Sequence, residues 1–298
     1  MTAPSGAAGV GPRVVAIGGG HGLARSLGAA RRYAGSVAGI ASVADDGGSS
    51  GRLRQVLGIP APGDLRRCLG ALLPDGSPIG AALEHRFPAG ELASHAFGNL
   101  LLAALAAESD GFADAVARAC RLLGTVGTLY PATNEPVVLR ARTAEGAVRG
   151  QVAVMGASGV EAVALDPADA TTPAGALEAV AAADQIVLGP GSLFTSVLAC
   201  LAAGQLAAAV ASAKGQVVYV CNLAEQRPET SGFDAGMHLD ALVAHGVEPD
   251  VMLVEASGLR LGTARPPTRV LEAPLTVPGR PLVHDEGLLG AALAAVAG

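Results

Sequence analysis

An α/β fold is what this sequence predicts: a Rossmann-like three-layer sandwich with a mostly parallel central sheet and a helical and hairpin insertion. Three observations carry that prediction. The apolar run 13–17 is followed by Gly18-Gly19-Gly20-His21-Gly22 and then by a stretch to residue 33 in which Leu23, Leu27 and Ala30 share one helical face. A second apolar run at 40–44 completes a βαβ unit, which implies parallel pairing and a right-handed crossover. The same grammar recurs at 185–188, where an apolar strand leads into Gly189-Pro190-Gly191-Ser192 and a helix through residue 202. The third observation is composition. The chain is 50% hydrophobic, 3% aromatic and free of Trp, which suits Ala, Val and Leu packing helices closely on a parallel sheet.

The remaining elements come in chain order. Residues 91–108 and 112–123 read as helices, and 137–142 and 148–154 as strands joined by a turn at Glu145-Gly146. Roughly 80–170 is therefore expected as a helical and hairpin insertion into one domain spanning 13–298. Residues 214–221 and 251–254 read as further strands of the main sheet. The proline-rich stretch 263–281 is expected to be irregular, and 286–296 to form a terminal helix. Residues 1–12, rich in Gly, Ala and Pro, lack a basic segment followed by an apolar one. They read as a disordered tail and not as a signal peptide.

Charge and cysteine usage exclude several functions. A net charge of −6 argues against a nucleic-acid or anionic-membrane surface, and Lys214 is the only lysine, so no Walker-type lysine is present. Cys68, Cys120, Cys200 and Cys221 form no Cys-x-x-Cys pair, so neither a zinc site nor a disulfide framework is indicated. The uncharged stretch 192–213 is Ala-rich and broken by Gly204-Gln205, which argues against a membrane span. A cytoplasmic location is the expectation.

The densest chemistry lies at Asp45-Asp46-Gly47-Gly48-Ser49-Ser50-Gly51-Arg52, read as a glycine-rich loop at a strand tip. Acids can take a divalent cation such as Mg²⁺ or ribose hydroxyls. Glycines admit backbone N–H groups to a phosphate, serines donate, and Arg52 neutralises charge. A solvated Asp-Gly turn accounts for Asp46 and Gly47 but gives no reason for the serines and Arg52. Gly18, Gly19, Gly20, His21 and Gly22 fail the Gly-x-Gly-x-x-Gly fingerprint, yet they open a helix whose N-terminus suits phosphate. Gly189, Pro190, Gly191, Ser192 and Thr195 repeat the arrangement, although Ser192 can equally serve as an N-cap. Asp64 and Arg66 sit at a helix start, where Asp64 can cap. His95 and Asn99, four apart in an expected helix, can hold a base, a sugar or a metal-bound water, or pair within the core. Asn222, Gln226 and Thr230 suit sugar hydroxyls or a uracil edge, and loop-structuring bonds explain them as well.

These stretches together resemble the YvcK-type gluconeogenesis factor family, the branch of CofD-like proteins related to 2-phospho-L-lactate transferase. The resemblance is carried by Val43 to Leu53, Pro62-Gly63-Asp64-Leu65-Arg66, His95 to Leu100, Gly189 to Leu193 and Cys221-Asn222-Leu223. It implies a Rossmann-like core, a cytoplasmic location, binding of a nucleotide sugar of the UDP-N-acetylglucosamine kind, and a role in cell shape and wall synthesis on gluconeogenic carbon sources. Wall-synthesis proteins and a second copy of the chain are partners compatible with it. Two rivals remain: a Mg²⁺-dependent transferase, with Asp45 and Asp46 holding the metal, and an NAD-binding oxidoreductase. The chain departs from the family at His21, where Thr is usual, and matches only loosely over 258–281.

Overall fold

Seven parallel strands form the central sheet of the computed structural model, in the order β10-β9-β8-β7-β1-β2-β3. The structure describes residues 10–263, 267–277, 279–280 and 282–297; most of the expected N-terminal tail lies outside them. The opening βαβ unit comprises β1 (Arg13–Gly18), α1 (Gly20–Ala30) and β2 (Ser36–Ala41), with Ile17 opposite Ile40 in parallel register. Leu23, Leu27 and Ala30 of α1 are fully buried. Each leucine on that face contributes about 1.5–3 kcal/mol by leaving water.

Beyond β2 the chain forms α2 (Gly48–Leu57), α3 (Gly63–Ala71), α4 (Ile79–Glu84), α5 (Phe97–Ala107) and α6 (Phe112–Leu123). It returns to the sheet as β3 (Thr128–Pro131), which pairs parallel with β2 although it lies within the range expected for the insertion. A separate antiparallel sheet comes next, in the order β5-β4-β6, from β4 (Val138–Thr143), β5 (Gly146–Arg149) and β6 (Val160–Asp166), with α7 (Gln151–Met155) between the last two. After α8 (Ala174–Ala182) and β7 (Gln185–Leu188), a π-helical turn at Leu193–Leu198 runs into α9 (Ala199–Leu201) and α10 (Leu206–Ala211). The chain closes with β8 (Gln216–Val220), α11 (Ala235–Ala244), β9 (Val251–Glu255), β10 (Arg269–Ala273) and α12 (Glu286–Val296).

The α/β class, the opening unit, α6 and the terminal helix match the sequence-based expectations. Five details do not. The second strand ends at Ala41 and not at 44, because Val43 and Ala44 are buried under the segment before α3, where Ala61 N donates to Val43 O at 3.3 Å. Hydrophobic content was right there, and strand pairing was not. The expected glycine-rich loop after Gly47 is the first turn of α2. The helix expected from 91 begins only at Phe97, because Ser94 adopts a left-handed φ of 65° and Arg86 bridges to Ala96. The strand expected over 148–154 stops at Arg149; Gly150, at φ 100°, turns the chain into α7. Finally, 263–281 is not wholly irregular, since β10 lies parallel on β9.

Among the described residues no helix is long and apolar enough to cross a membrane, and all four cysteines are free and buried. Parallel pairing puts the carboxyl ends of β1, β2, β7, β8 and β9 on one edge. Open α/β sheets bind ligands at such an edge.

Candidate functional site

Two helix N-termini meet the edge beside β1 and β2 without a side-chain cap. At α1 the N-cap is Gly19, and at α2 it is Gly47. Among the described residues, no acceptor answers the amides of His21 and Gly22 in α1 or of Gly48, Ser49 and Ser50 in α2, whereas Gly51 N returns to Gly47 O at 3.0 Å. Uncapped amides with the positive end of a helix dipole behind them are an anion site in waiting. Gly22 can only be glycine here, since a Cβ would run into the Pro190 carbonyl where α1 leans on the second glycine loop.

Carboxylates from two different segments meet beneath these amides. Asp45 Oδ1 accepts from Gly47 N at 2.9 Å, and its Oδ2 lies so near the start of α3 that a Cβ on Gly63 would sit 3.0 Å away and also strike Ser50 Oγ. Asp64, buried in the first turn of α3, accepts from Arg67 Nη1 at 3.0 Å and from the Gly20 amide. Burial pushes its carboxyl up to about 6, against the pull of Arg67, and the neighbouring charge of Asp45 adds to the rise. Asp46 points the other way. Its Oδ1 accepts from Val152 N at 2.9 Å, so it caps α7 and ties the small antiparallel sheet to the edge. Successive side chains of an extended segment alternate, so the Asp45 charge acts on Asp64 while Asp46 is turned to Val152. No group of three or more His, Cys, Asp or Glu suited to a metal occurs among the described residues.

A positively charged shoulder flanks the pair. His21 is exposed at its outer edge, and desolvation of the rest of its ring, together with Arg67, Arg66 and Arg25, holds its pKa below the ordinary value, Glu84 opposing. Arg66 is 1% exposed and pairs with Glu84 at 3.1 Å, while its Nε and Nη1 have no partner. On the far side of α2, Ser49 Oγ is a hub: Asn99 Nδ2 donates to it at 3.0 Å, and His95 Nδ1 lies 3.1 Å away. Because Asn99 and Ala96 N both donate to the hydroxyl, its proton goes to His95 Nδ1, which leaves Nε2 carrying the hydrogen. His95 precedes α5 and is not within it, so the expected i, i+4 geometry is absent, yet both side chains converge on Ser49. Arg52 turns away to donate to Ala93 O at 2.8 Å.

In the second glycine loop the amides of Gly189, Gly191, Phe194 and Thr195 find acceptors within the protein, and those of Ser192 and Leu193 find none among the described residues. Gly189 N donates to Ile17 O at 3.0 Å, Pro190 has no amide hydrogen, and Gly191 N donates to Asn222 Oδ1 at 3.2 Å. Asn222 donates in turn to Gln226 at 3.2 Å, and Gln226 N donates to Thr230 Oγ1 at 2.8 Å. Of the two readings of these residues, the structure shows the loop-structuring bonds. Ser192 offers no side-chain cap, although its carbonyl accepts from Ser196 N and Val197 N. Thr195 donates its hydroxyl to Glu229 Oε2 at 3.0 Å. Glu229 Oε1 also accepts from Phe194 N at 2.8 Å and Thr195 N at 3.1 Å, so a buried carboxylate already fills the place an anion would take. Burial raises its pKa, with those three donors opposing. Sequence reasoning missed Glu229; its only signal was an acid next to Thr230 in the loop after β8.

Known proteins resemble this chain over most of its length. The profile of the CofD family, described as 2-phospho-L-lactate transferase CofD, matches residues 14–273. The gluconeogenesis factor of Halalkalibacterium halodurans is 38% identical over 246 residues, covering 80% of this chain and 76% of that protein. A Mycobacterium tuberculosis protein provisionally named a gluconeogenesis factor is 40% identical over 310 residues, covering 94% and 89%. A Deinococcus radiodurans protein with the same provisional name is 41% identical, and the match spans 56% of its longer chain. The crystal structure of a UPF0052-family protein from Bacillus halodurans superposes with a TM-score of 0.88 at 32% identity, covering 95% of this chain and 98% of that one. The chain therefore belongs to the CofD family, among relatives that carry the name gluconeogenesis factor.

Proposed function

We propose that the protein is a regulatory nucleotide-sugar binder, with UDP-N-acetylglucosamine as the model ligand, acting in the cytoplasm on cell shape and wall synthesis during growth on gluconeogenic carbon sources. The observation that supports this most is the pair of uncapped N-termini, α1 and α2, over Asp45 and Asp64. In this reading the diphosphate lies across the amides of 21–22 and 48–50. His21, Arg66 and Arg67 balance its charge, and Asn99, His95 and Ser49 line the way to the sugar. A homo-oligomer and wall-synthesis proteins are the partners the reading admits.

A divalent cation fits the donor set. Asp45 Oδ2 and Ser50 Oγ are hard oxygen donors gathered at Gly63, with the Asp64 carboxyl nearby beside Gly19, and a carboxyl as strained by burial as Asp64 gains most from a cation beside it. Two carboxylates with phosphate oxygens completing the shell is the usual Mg²⁺ arrangement, and Mg²⁺ would neutralise phosphate charge there.

The same feature favours a second reading, a Mg²⁺-dependent transferase that moves a nucleotidyl or phospholactate group. Chemistry at phosphorus needs little beyond positioned charge, which this edge can supply. Calorimetry with UDP-N-acetylglucosamine and Mg²⁺, followed by chromatography of the same sample, separates the readings. Saturable heat with ligand returned intact supports the binder. Release of UMP or UDP over repeated turnovers supports the transferase, and no heat removes both.

A further inference from the structure

Asn222 and Thr230, the sequence-based candidates for the base, are consumed in bracing the loop after β8. A nucleoside attached to a diphosphate at α1 and α2 must therefore find another place along the edge. A groove of about 600 Å³ opens between the segments that come after β8 and β9. Because both strands run parallel to β1, their carboxyl ends share its edge. β8 is two strands from β1 and β9 three, or about 10 and 14 Å at the usual strand spacing, which is the reach of one nucleoside.

The lining suits a base. Leu223, Phe233 and Leu259 supply apolar walls. Phe233 is held edge-on by Phe194, with centroids 6.0 Å apart, and by His238 at 5.6 Å, so its ring is fixed before any ligand arrives. Guanidinium groups stand at the rim. Arg227 donates to Glu225 at 2.7 Å, and the Arg260 side chain has no acid partner among the described residues. Arginine donors match the carbonyl oxygens of a base. The volume is that of ordinary small-molecule sites, and the groove sets three apolar walls against a charged rim that includes Glu255. Between groove and phosphate site lies the loop closed by Glu229, whose buried negative charge disfavours a further anion and leaves room for an uncharged ribose.

We infer that the groove formed by Leu223, Phe233, Leu259 and the Arg227 and Arg260 rim is a nucleoside subsite, taking the base of a nucleotide whose diphosphate lies over Asp45 and Asp64. The inference rests on the proposed function and assigns its ligand an orientation: base at β8 and β9, phosphates at β1 and β2.

The test compares UDP with inorganic pyrophosphate, each with Mg²⁺, on the full chain and on Ser257→Trp and Arg260→Gln. Ser257 is exposed on the groove wall, so the indole fills the groove without entering the core. In the parent, UDP should bind more tightly than pyrophosphate. Both variants should weaken UDP, Ser257→Trp by about tenfold or more, and leave pyrophosphate within about twofold. Equal losses for both probes, or no loss of UDP, overturn the subsite. Pyrophosphate binding with no gain from uridine overturns the subsite alone, whereas failure of pyrophosphate itself overturns the phosphate site and the proposed function with it. Should Ser257→Trp not fold, Arg260→Gln gives the same reading, with an expected loss of about fivefold.

Discussion

The two glycine loops look alike in sequence and behave oppositely in the structure. Gly18–Gly22 runs into a helix whose His21 and Gly22 amides are unclaimed, and the neighbouring α2 is uncapped as well. Gly189–Ser192 runs into a helical turn in which Glu229 claims the amides of Phe194 and Thr195, while Asn222 claims that of Gly191. A strand, a glycine turn and a helix thus make an anion site only if nothing inside the protein has already answered the amides. The side chain that closes the second loop lies more than thirty residues further on, beyond any local motif. Its two neighbours on the loop, Gln226 and Thr230, serve the same closure.

The largest effect that would break this contrast is at Glu229. Glu229→Ala strips three buried donors of their acceptor and should cost about 2–4 kcal/mol, read by chemical denaturation. Glu229→Gln, which keeps an acceptor, should cost less than half as much. If Glu229→Ala loses under about 0.5 kcal/mol, the second loop is not held closed by this carboxylate.

Asp46 should show an intermediate effect. Asp46→Asn replaces a charged acceptor at the N-terminus of α7 with a neutral one, for a loss of about 0.5–1 kcal/mol and only a modest change in ligand affinity. Asp45→Asn should do the reverse, leaving stability within about 0.5 kcal/mol and removing most ligand or Mg²⁺ affinity. A matched response from both aspartates would mean that they do share one ligand.

The smallest effects are in pH dependence, and two groups act with opposite signs. Asp64 has its carboxyl raised to about 6, so Mg²⁺ must displace a proton below that pH. Mg²⁺ affinity should rise as pH climbs from 5 through about 6 and then level off. Folding stability should fall over the interval from the unfolded carboxyl range near 4 up to 6, since there the folded state holds a proton that the unfolded state has lost. His21 is held neutral by desolvation and by the arginines around it, and a bound anion favours its imidazolium. Without Mg²⁺, pyrophosphate affinity should therefore be greater at mildly acidic pH and weaken as pH rises through the bound-state pKa. His21→Thr should flatten that slope, and parallel curves for the two proteins would show that the ring does not sense the anion.

Much of the fold was legible because periodicity and turn chemistry agreed along β1, α1, β7, α6 and α12. The errors arose where burial and strand pairing did not go together. Residues 42–44 are as apolar as a strand, but they pack under the approach to α3, and β10 pairs despite proline-rich surroundings. At the site, residue types were legible and directions were not. Asp45 and Asp46 are equivalent on paper, and only the backbone sends one to α3 and the other to α7. His95 and Asn99 were grouped for a helical spacing they lack, and they meet because Ser49 lies between them.

The most direct test of the account sets Asp45→Asn against Ser192→Ala in titrations with UDP-N-acetylglucosamine and Mg²⁺. If the open first loop carries the ligand's phosphates and the second is closed, Asp45→Asn should lose about tenfold or more in affinity, while Ser192→Ala stays within about twofold of the parent. Intact binding in Asp45→Asn, with a large loss in Ser192→Ala, would place the phosphates on the loop that Glu229 closes and would contradict the account.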